Sequence, residues 1–224
     1  ELQRMMKEGN YHVGFAFDGD ADRLIAVDED GNLIDGDHTM YICGCYMHEK
    51  GILHDDVVVT TVMSNLGLYH ALTAKGIKYE QTAVGDKYVF ECMREHGYSV
   101  GGEQSGHIIF NEHENTGDGL MTALKLLEIM VNTKKSLKEL SEDLFIYPQL
   151  LINTPVKDKH KAMEDPELLK VVDEVARELG DEGRILVRPS GTEPLVRVMV
   201  EAKTDELCEQ YVNQVIDFIN AKGL

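Results

Sequence analysis

Residues 13–27 read Val-Gly-Phe-Ala-Phe-Asp-Gly-Asp-Ala-Asp-Arg-Leu-Ile-Ala-Val, two short apolar runs separated by an acidic turn. Apolar runs of this length, bounded by Gly and Asp, fit buried strands better than helices. Asp30-Gly31 is a turn signal, and Leu33-Ile34 would return as a third short strand. From Asp37 the pattern changes. Helices are predicted over 38–49, 66–75, 86–96 and 119–131, and strands over 57–61, 77–81, near 99–100 and over 107–110. Such alternation predicts an α/β layer with a largely parallel sheet.

A short helix within 134–144 is marked by Ser136 and Glu139 at capping-box spacing. Residues 145–148, Phe-Ile-Tyr-Pro, read as a hinge into a second pattern. There a strand over 150–156 precedes a helix opened by Asp165 and Pro166 and stopped by Gly180. Strands over 184–187 and 196–202 and a last helix opened by Thr204 complete a small α+β domain. The chain therefore divides into three parts. Residues 1–36 are the tail of a preceding α/β domain, 37–147 an α/β domain, and 148–224 the α+β domain. It begins with Glu1 inside what reads as a helix, as a piece of something longer would.

The 224 residues carry a net charge of −18, which argues against nucleic acid or an anionic membrane surface as the main partner. Any anionic ligand must be held by a few locally placed cations. Cys43, Cys45, Cys92 and Cys208 are too few and too scattered for a disulfide framework, and reduced thiols point to the cytoplasm. Cys43 and Cys45 lie in a helical stretch with no second pair near, which disfavours a metal half-site. No run approaches the ~20 apolar residues of a membrane span, and residues 1–10 have no signal-peptide core.

Three loops carry chemistry. Asp18, Asp20 and Asp22 alternate along an extended turn with small residues between, so all three can face one hard cation. Oxygen ligands suit Mg²⁺ or Ca²⁺. An EF-hand is rejected, because its sixth position requires Gly and Arg23 stands there. Arg23 beside the carboxylates suits a phosphate or sugar oxygen, or an ordinary ion pair. The second loop is Gly-Gly-Glu-Gln-Ser-Gly-His at 101–107. Its glycines permit close backbone approach, Glu103 and Ser105 could grip neighbouring hydroxyls, and His107 could move a proton at neutral pH. A plain hairpin loop would read much the same. The third loop is Arg-Pro-Ser-Gly-Thr-Glu-Pro at 188–194, followed by Arg197. Ser190, Gly191 and Thr192 offer backbone N–H groups and hydroxyls, and Arg188 and Arg197 offer bidentate contacts, which reads as a phosphate cradle in an otherwise acidic chain or as a turn with incidental arginines. Lys87, within Val-Gly-Asp-Lys-Tyr at 84–88, opens a helix where the dipole disfavours a cation.

In this order, FDGDADR (17–23), VGDKYV (84–89), GGEQSGHIIF (101–110), TGDGLMTAL (116–124) and RPSGTEPLVRVM (188–199) resemble the motifs of the α-D-phosphohexomutase superfamily. The resemblance runs over essentially the whole chain, and Gln104 within GEQSGH favours the glucosamine branch. It implies a four-domain fold: three α/β domains and a last domain like the TATA-binding protein. This chain would hold the tail of the second domain, the third, and the fourth. The implied activity is interconversion of glucosamine 6-phosphate and glucosamine 1-phosphate through a 1,6-bisphosphate. Asp18, Asp20 and Asp22 would hold Mg²⁺, with Arg23 near the reacting phosphate. Glu103 and Ser105 would bind the sugar, and His107 and Lys87 would touch substrate and carry protons. Arg188, Ser190, Gly191, Thr192 and Arg197 would bind the idle phosphate.

One element of that pattern is missing. The family reacts through a phosphoserine in a Ser-His-Asn-Pro-like loop, yet none of Ser64, Ser99, Ser105, Ser136, Ser141 and Ser190 is followed by His. The chain alone is therefore expected to be inactive. A non-catalytic sugar-phosphate-binding module and a phosphomannomutase or phosphoglucomutase relative are the alternatives. A phosphatase using Asp18 as nucleophile would leave the other two loops unexplained. The incomplete first domain would expose a sheet edge that could pair two copies as a homodimer.

Overall fold

A computed structural model of the chain describes residues 1–113 and 115–224. Residues Glu1–Phe145 and Ile146–Leu224 form two compact units. In the first, helix α1 (Leu2–Glu8) leads into strands β1 (Gly14–Phe17), β2 (Leu24–Val27) and β3 (Leu33–Ile34), an antiparallel sheet in that order. β1 lies at its edge, and Phe17 is exposed. Asp28 makes the turn before β3: its Oδ1 accepts the Asp30 and Asn32 amides and its Oδ2 accepts the Asn32 side-chain amide.

Then come α2 (Gly36–Glu49), β4 (Val57–Thr61), α3 (Leu66–Ala74), β5 (Lys78–Thr82), α4 (Asp86–His96), β6 (Val100–Gly102), β7 (Ile108–Phe110), α5 (Gly119–Thr133) and α6 (Leu137–Leu140). The sheet order is β5-β4-β6-β7, with β5, β4 and β6 parallel and β7 antiparallel to β6. The expectation of a parallel sheet holds for three strands. The sheet is thus largely parallel as expected, and β7 runs antiparallel because the loop from β6 is far shorter than the dozen or so residues a crossover requires. All five β4 residues are buried, so the Val-rich run is covered on both faces. Val57 and Val59 pack with Val89 and Met93 of α4, while Val58 meets Gly44 of α2 on the opposite side. α6 carries the complete capping box of Ser136 and Glu139.

The second unit holds β8 (Gln149–Pro155), α7 (Lys159–Met163), α8 (Pro166–Leu179), β9 (Arg184–Pro189), β10 (Leu195–Glu201) and α9 (Asp205–Lys222). Its antiparallel sheet has the order β8-β10-β9. Val196, Val198 and Val200 of β10 alternate inward against Leu168 and Val175 of α8 and Val212, Val215 and Ile219 of α9. Asp165 caps α8 by accepting the Glu167 and Leu168 amides, with Pro166 at the first position. The short α7 is absent from the sequence reading, since a single turn has no periodicity to show. Among the described residues no helix is long and apolar enough to cross a membrane.

Asp37, in the first turn of α2, is the least expected core residue: it is fully buried. Its Oδ2 accepts the Asn65 amide at 2.7 Å, while Oδ1 finds no partner among the described residues. Burial, and then the neighbouring Asp35, push its carboxyl up to about 7, against the pull of Asn65, Ser64 and His38. An unfolded aspartate ionises near ~3.9, so the native chain keeps this proton where the unfolded chain has lost it. That contribution is full below about pH 4 and is lost as pH rises towards about 7. Asp37→Asn cannot ionise. Its melting temperature relative to the parent chain should therefore climb between about pH 4 and about pH 7 and level off above that. A pH-independent difference in calorimetry would show that the carboxyl stays ionised throughout.

Candidate functional site

The turn between β1 and β2 is strained where it matters. Ala21 adopts φ 61°, the left-handed region that costs a non-glycine residue on the order of 1–3 kcal/mol. This kink brings oxygens of Asp18, Asp20 and Asp22 within 4.8 Å of one another. Partial desolvation, and then Asp18 and Asp20, hold the Asp22 carboxyl above its ordinary range, while His107 pulls it down. Three mutually repelling carboxylates with hard oxygen donors are a fitting set for Mg²⁺. Arg23 donates its backbone N–H to Asp18 at 3.2 Å, but its guanidinium reaches that carboxylate only at 4.0 Å and is half exposed. Most of its donors thus remain available to a ligand.

The turn is braced by two backbone contacts. The Leu24 amide donates to the Gly106 carbonyl at 3.1 Å, and the Gly119 amide, opening α5, donates to the Ala21 carbonyl at 2.9 Å. Both approaches exclude a side chain. A Cβ on Gly106, at φ 92°, would sit 2.1 Å from the Leu24 carbonyl, and one on Gly119 would sit 2.7 Å from that of Arg23. Gly119 carries no role in the sequence reading, although it lies in the TGDGLMTAL stretch.

His107 differs from its expectation. Its Nε2 accepts the Gly117 amide at 2.9 Å, which assigns the ring proton to Nδ1, 3.0 Å from Asp22 Oδ2. The side chain is only 4% exposed. With both nitrogens occupied and the ring buried, His107 orients the Asp22 carboxylate and does not present a free nitrogen to a ligand. Glu103 Oε1 accepts the Gly85 amide at 2.9 Å, and the Ser105 hydroxyl donates towards Oε2 at 3.4 Å. Glu103 thereby ties the 101–107 loop to the start of α4. Lys87 stands in that first turn, largely exposed, with its nearest carboxylate Glu91 at 3.8 Å. Ala16, Phe17, Asp18, Arg23, Ile25 and Ser105 line one hollow, so the acidic turn and the 101–107 loop share a surface.

In the second unit, β9 and β10 set Arg188 directly opposite Arg197. Like charges at a cross-strand position are destabilising unless an anion lies between them. Arg197 Nε is buried and, among the described residues, has no partner; burial, then Arg197, lowers the Arg188 pKa. Ser190 is buried, its amide bonded to the Leu195 carbonyl and its hydroxyl accepting the Glu193 amide at 3.3 Å. Gly191 and Thr192 are exposed at the tip.

The family model described as "Phosphoglucomutase/phosphomannomutase, alpha/beta/alpha domain III" matches residues 35–147. The model for the C-terminal domain of the same family matches residues 151–218. The chain is 57% identical over 223 residues to a phosphoglucosamine mutase of Lachnoclostridium phytofermentans, covering all of this chain and 50% of that protein. Identity to the phosphoglucosamine mutase of Bacillus subtilis is 55% over 221 residues, 99% of this chain and 49% of that protein. The chain thus spans about half the length of the curated relatives it matches. A phosphoglucomutase/phosphomannomutase family protein of Burkholderia thailandensis superposes with a TM-score of 0.79 at 27% identity, over 97% of this chain and 48% of its own. An Aspergillus fumigatus N-acetylphosphoglucosamine mutase, solved with GlcNAc-6P and magnesium, shares the fold at a TM-score of 0.76 and 22% identity, over 94% and 49%.

The packing of Gly119 against the acidic turn has a measurable consequence. Gly119→Ala should lower the stability of the first unit by about 1–3 kcal/mol in urea titration, because the carbonyls of Ala21 and Arg23 must move aside. A neutral substitution would mean that α5 does not brace the turn.

Proposed function

Because the chain belongs to the phosphoglucomutase/phosphomannomutase family, we propose that it is the metal-, sugar- and phosphate-binding portion of a phosphoglucosamine mutase. The observation that carries this reading is the convergence of Asp18, Asp20 and Asp22 on one point, beside a half-exposed Arg23 whose guanidinium reaches Asp18 only at 4.0 Å. The level of identity to phosphoglucosamine mutases supports the glucosamine branch. In the whole enzyme a phosphoserine outside the motifs of this chain would phosphorylate glucosamine 6-phosphate. The 1,6-bisphosphate would then reorient and return its other phosphate, leaving glucosamine 1-phosphate.

Each residue has a part in that reading. Asp18, Asp20 and Asp22 would hold Mg²⁺, which when bound offsets negative charge on the transferring phosphoryl group. His107, hydrogen-bonded to Asp22, would fix the orientation of that carboxylate as a metal ligand, and Arg23 would offer its guanidinium to a phosphate oxygen. Glu103 and Ser105 would accept and donate hydrogen bonds to sugar hydroxyls. Lys87, exposed on the same unit, is the candidate proton carrier. Arg188, Ser190, Gly191, Thr192 and Arg197 would hold the idle phosphate, whose charge relieves the repulsion between the two arginines. The reading carries a cytoplasmic setting, in keeping with four free thiols. It includes no nucleic-acid or membrane partner, and the open edge of β1 is where two copies would pair.

The chain alone, given glucosamine 6-phosphate, Mg²⁺ and the 1,6-bisphosphate, should show no turnover, because no serine in it stands in the expected loop. Genuine turnover would overturn this assignment and make Asp18 the first residue to mutate as a nucleophile. Calorimetry should find Mg²⁺ bound more weakly than the low micromolar range, since the phosphoserine oxygen is absent from the ligand set. Glucosamine 1-phosphate should bind feebly, and Arg188→Ala should abolish that binding. Undiminished binding in the variant would remove Arg188 from the phosphate site.

A further inference from the structure

Lys159 opens α7, where the helix dipole disfavours a cation, and among the described residues no carboxylate lies within ion-pair distance of it. Its ammonium is used otherwise. Nζ donates to the carbonyls of Ser190 at 2.5 Å, Gly191 at 3.1 Å and Glu193 at 3.4 Å. An ammonium has three donors and no acceptor, and all three are directed at one loop.

We infer that Lys159 is the positioning residue of the 190–194 loop, holding its carbonyls on one side so that its amides face an anion on the other. The inference rests on the phosphate reading of that loop given above. In a planar trans peptide the C=O and the N–H point in opposite directions. The Ser190 carbonyl shares its peptide with the Gly191 amide, and the Gly191 carbonyl shares its peptide with the Thr192 amide. Fixing both carbonyls on Lys159 turns both amides away from it. Among the described residues neither amide has a protein partner. Successive backbone N–H groups facing one way form an anion-binding concavity.

The rest of the loop agrees with this division. The Glu193 carbonyl, also held by Lys159, precedes Pro194, which has no amide to present. Ser190 is anchored through its amide to Leu195 and through its hydroxyl to Glu193, so it acts as the pivot. A Cβ built on Gly191 meets nothing within 4 Å, so the loop leaves open space at this tip. Lys159 makes no contact with the anion in this arrangement. It sets which way the peptide dipoles point.

The test is an inorganic phosphate titration of the ¹⁵N-labelled full chain at constant ionic strength, reading the Gly191 and Thr192 amides. In the parent chain both should shift on saturation. Lys159→Met should weaken phosphate binding about tenfold, the scale of a lost charge-assisted hydrogen bond, and erase the two amide responses. Lys159→Arg should behave like Lys159→Met, because a planar guanidinium cannot converge on three carbonyls as an ammonium does. Full rescue by Arg would overturn the inference, leaving Lys159 as mere positive charge, and so would an unchanged Lys159→Met. Absent shifts in the parent chain would instead defeat the phosphate reading itself. Should the variants fail to fold, the parent Lys159 ammonium decides: it must be protected from solvent exchange and shift along with the two amides. A freely exchanging ammonium overturns the proposal.

Discussion

Two backbone hydrogen bonds, Leu24 to Gly106 and Gly119 to Ala21, hold the geometry on which the rest of the first unit depends. Without them the 18–23 turn would be an exposed acidic loop with a strained alanine, and mutual repulsion would spread its carboxylates. With them, the ends of β2 and α5 and the 101–107 loop meet at one place. The excluded Cβ positions at Gly106 and Gly119 are the steric signature of that meeting. His107 extends the same brace to a side chain: Gly117 fixes the tautomer and the tautomer directs Asp22. The site is therefore organised from behind, by groups that need never touch a ligand.

The second unit solves a similar problem with the opposite charge. Arg188 and Arg197 face each other across a ladder, and one buried nitrogen of Arg197 has no partner among the described residues. Lys159 adds a third cation close by, yet its charge is spent on carbonyl oxygens. A cation placed against carbonyls and two arginines with no ion pair among the described residues do different work in and beside one small loop. On the proposed reading, the first shapes the backbone and the others attract the ligand.

Much of this was legible in the residues, and the exceptions are instructive. The acidic alternation at 18–22, the capping box at Ser136 and the Asp165-Pro166 helix start are local signals, so their geometry could be read directly. The antiparallel turn of β7 was foreseeable from loop length but hidden by the expectation of α/β alternation. The burial of His107 could not be read, because it depends on Gly117 and Asp22 arriving from other parts of the chain. Nor could the contact of Lys159, a residue in a polar stretch whose partners are carbonyls that every residue possesses. Asp37 is the same case in reverse: a charged residue in a helix's first turn reads as solvated until the fold covers it.

The facing pair Arg188 and Arg197 also couples the folding of the second unit to the ionic composition around it. Any anion that settles between them is bound by the native hairpin and not by the unfolded chain, so it stabilises by mass action. On the phosphate reading proposed above, a melting curve recorded in phosphate or sulfate would report the liganded protein, and one recorded in a weakly held anion would report the hairpin with more of its repulsion. Anion identity, as well as ionic strength, would then set the apparent stability of this unit.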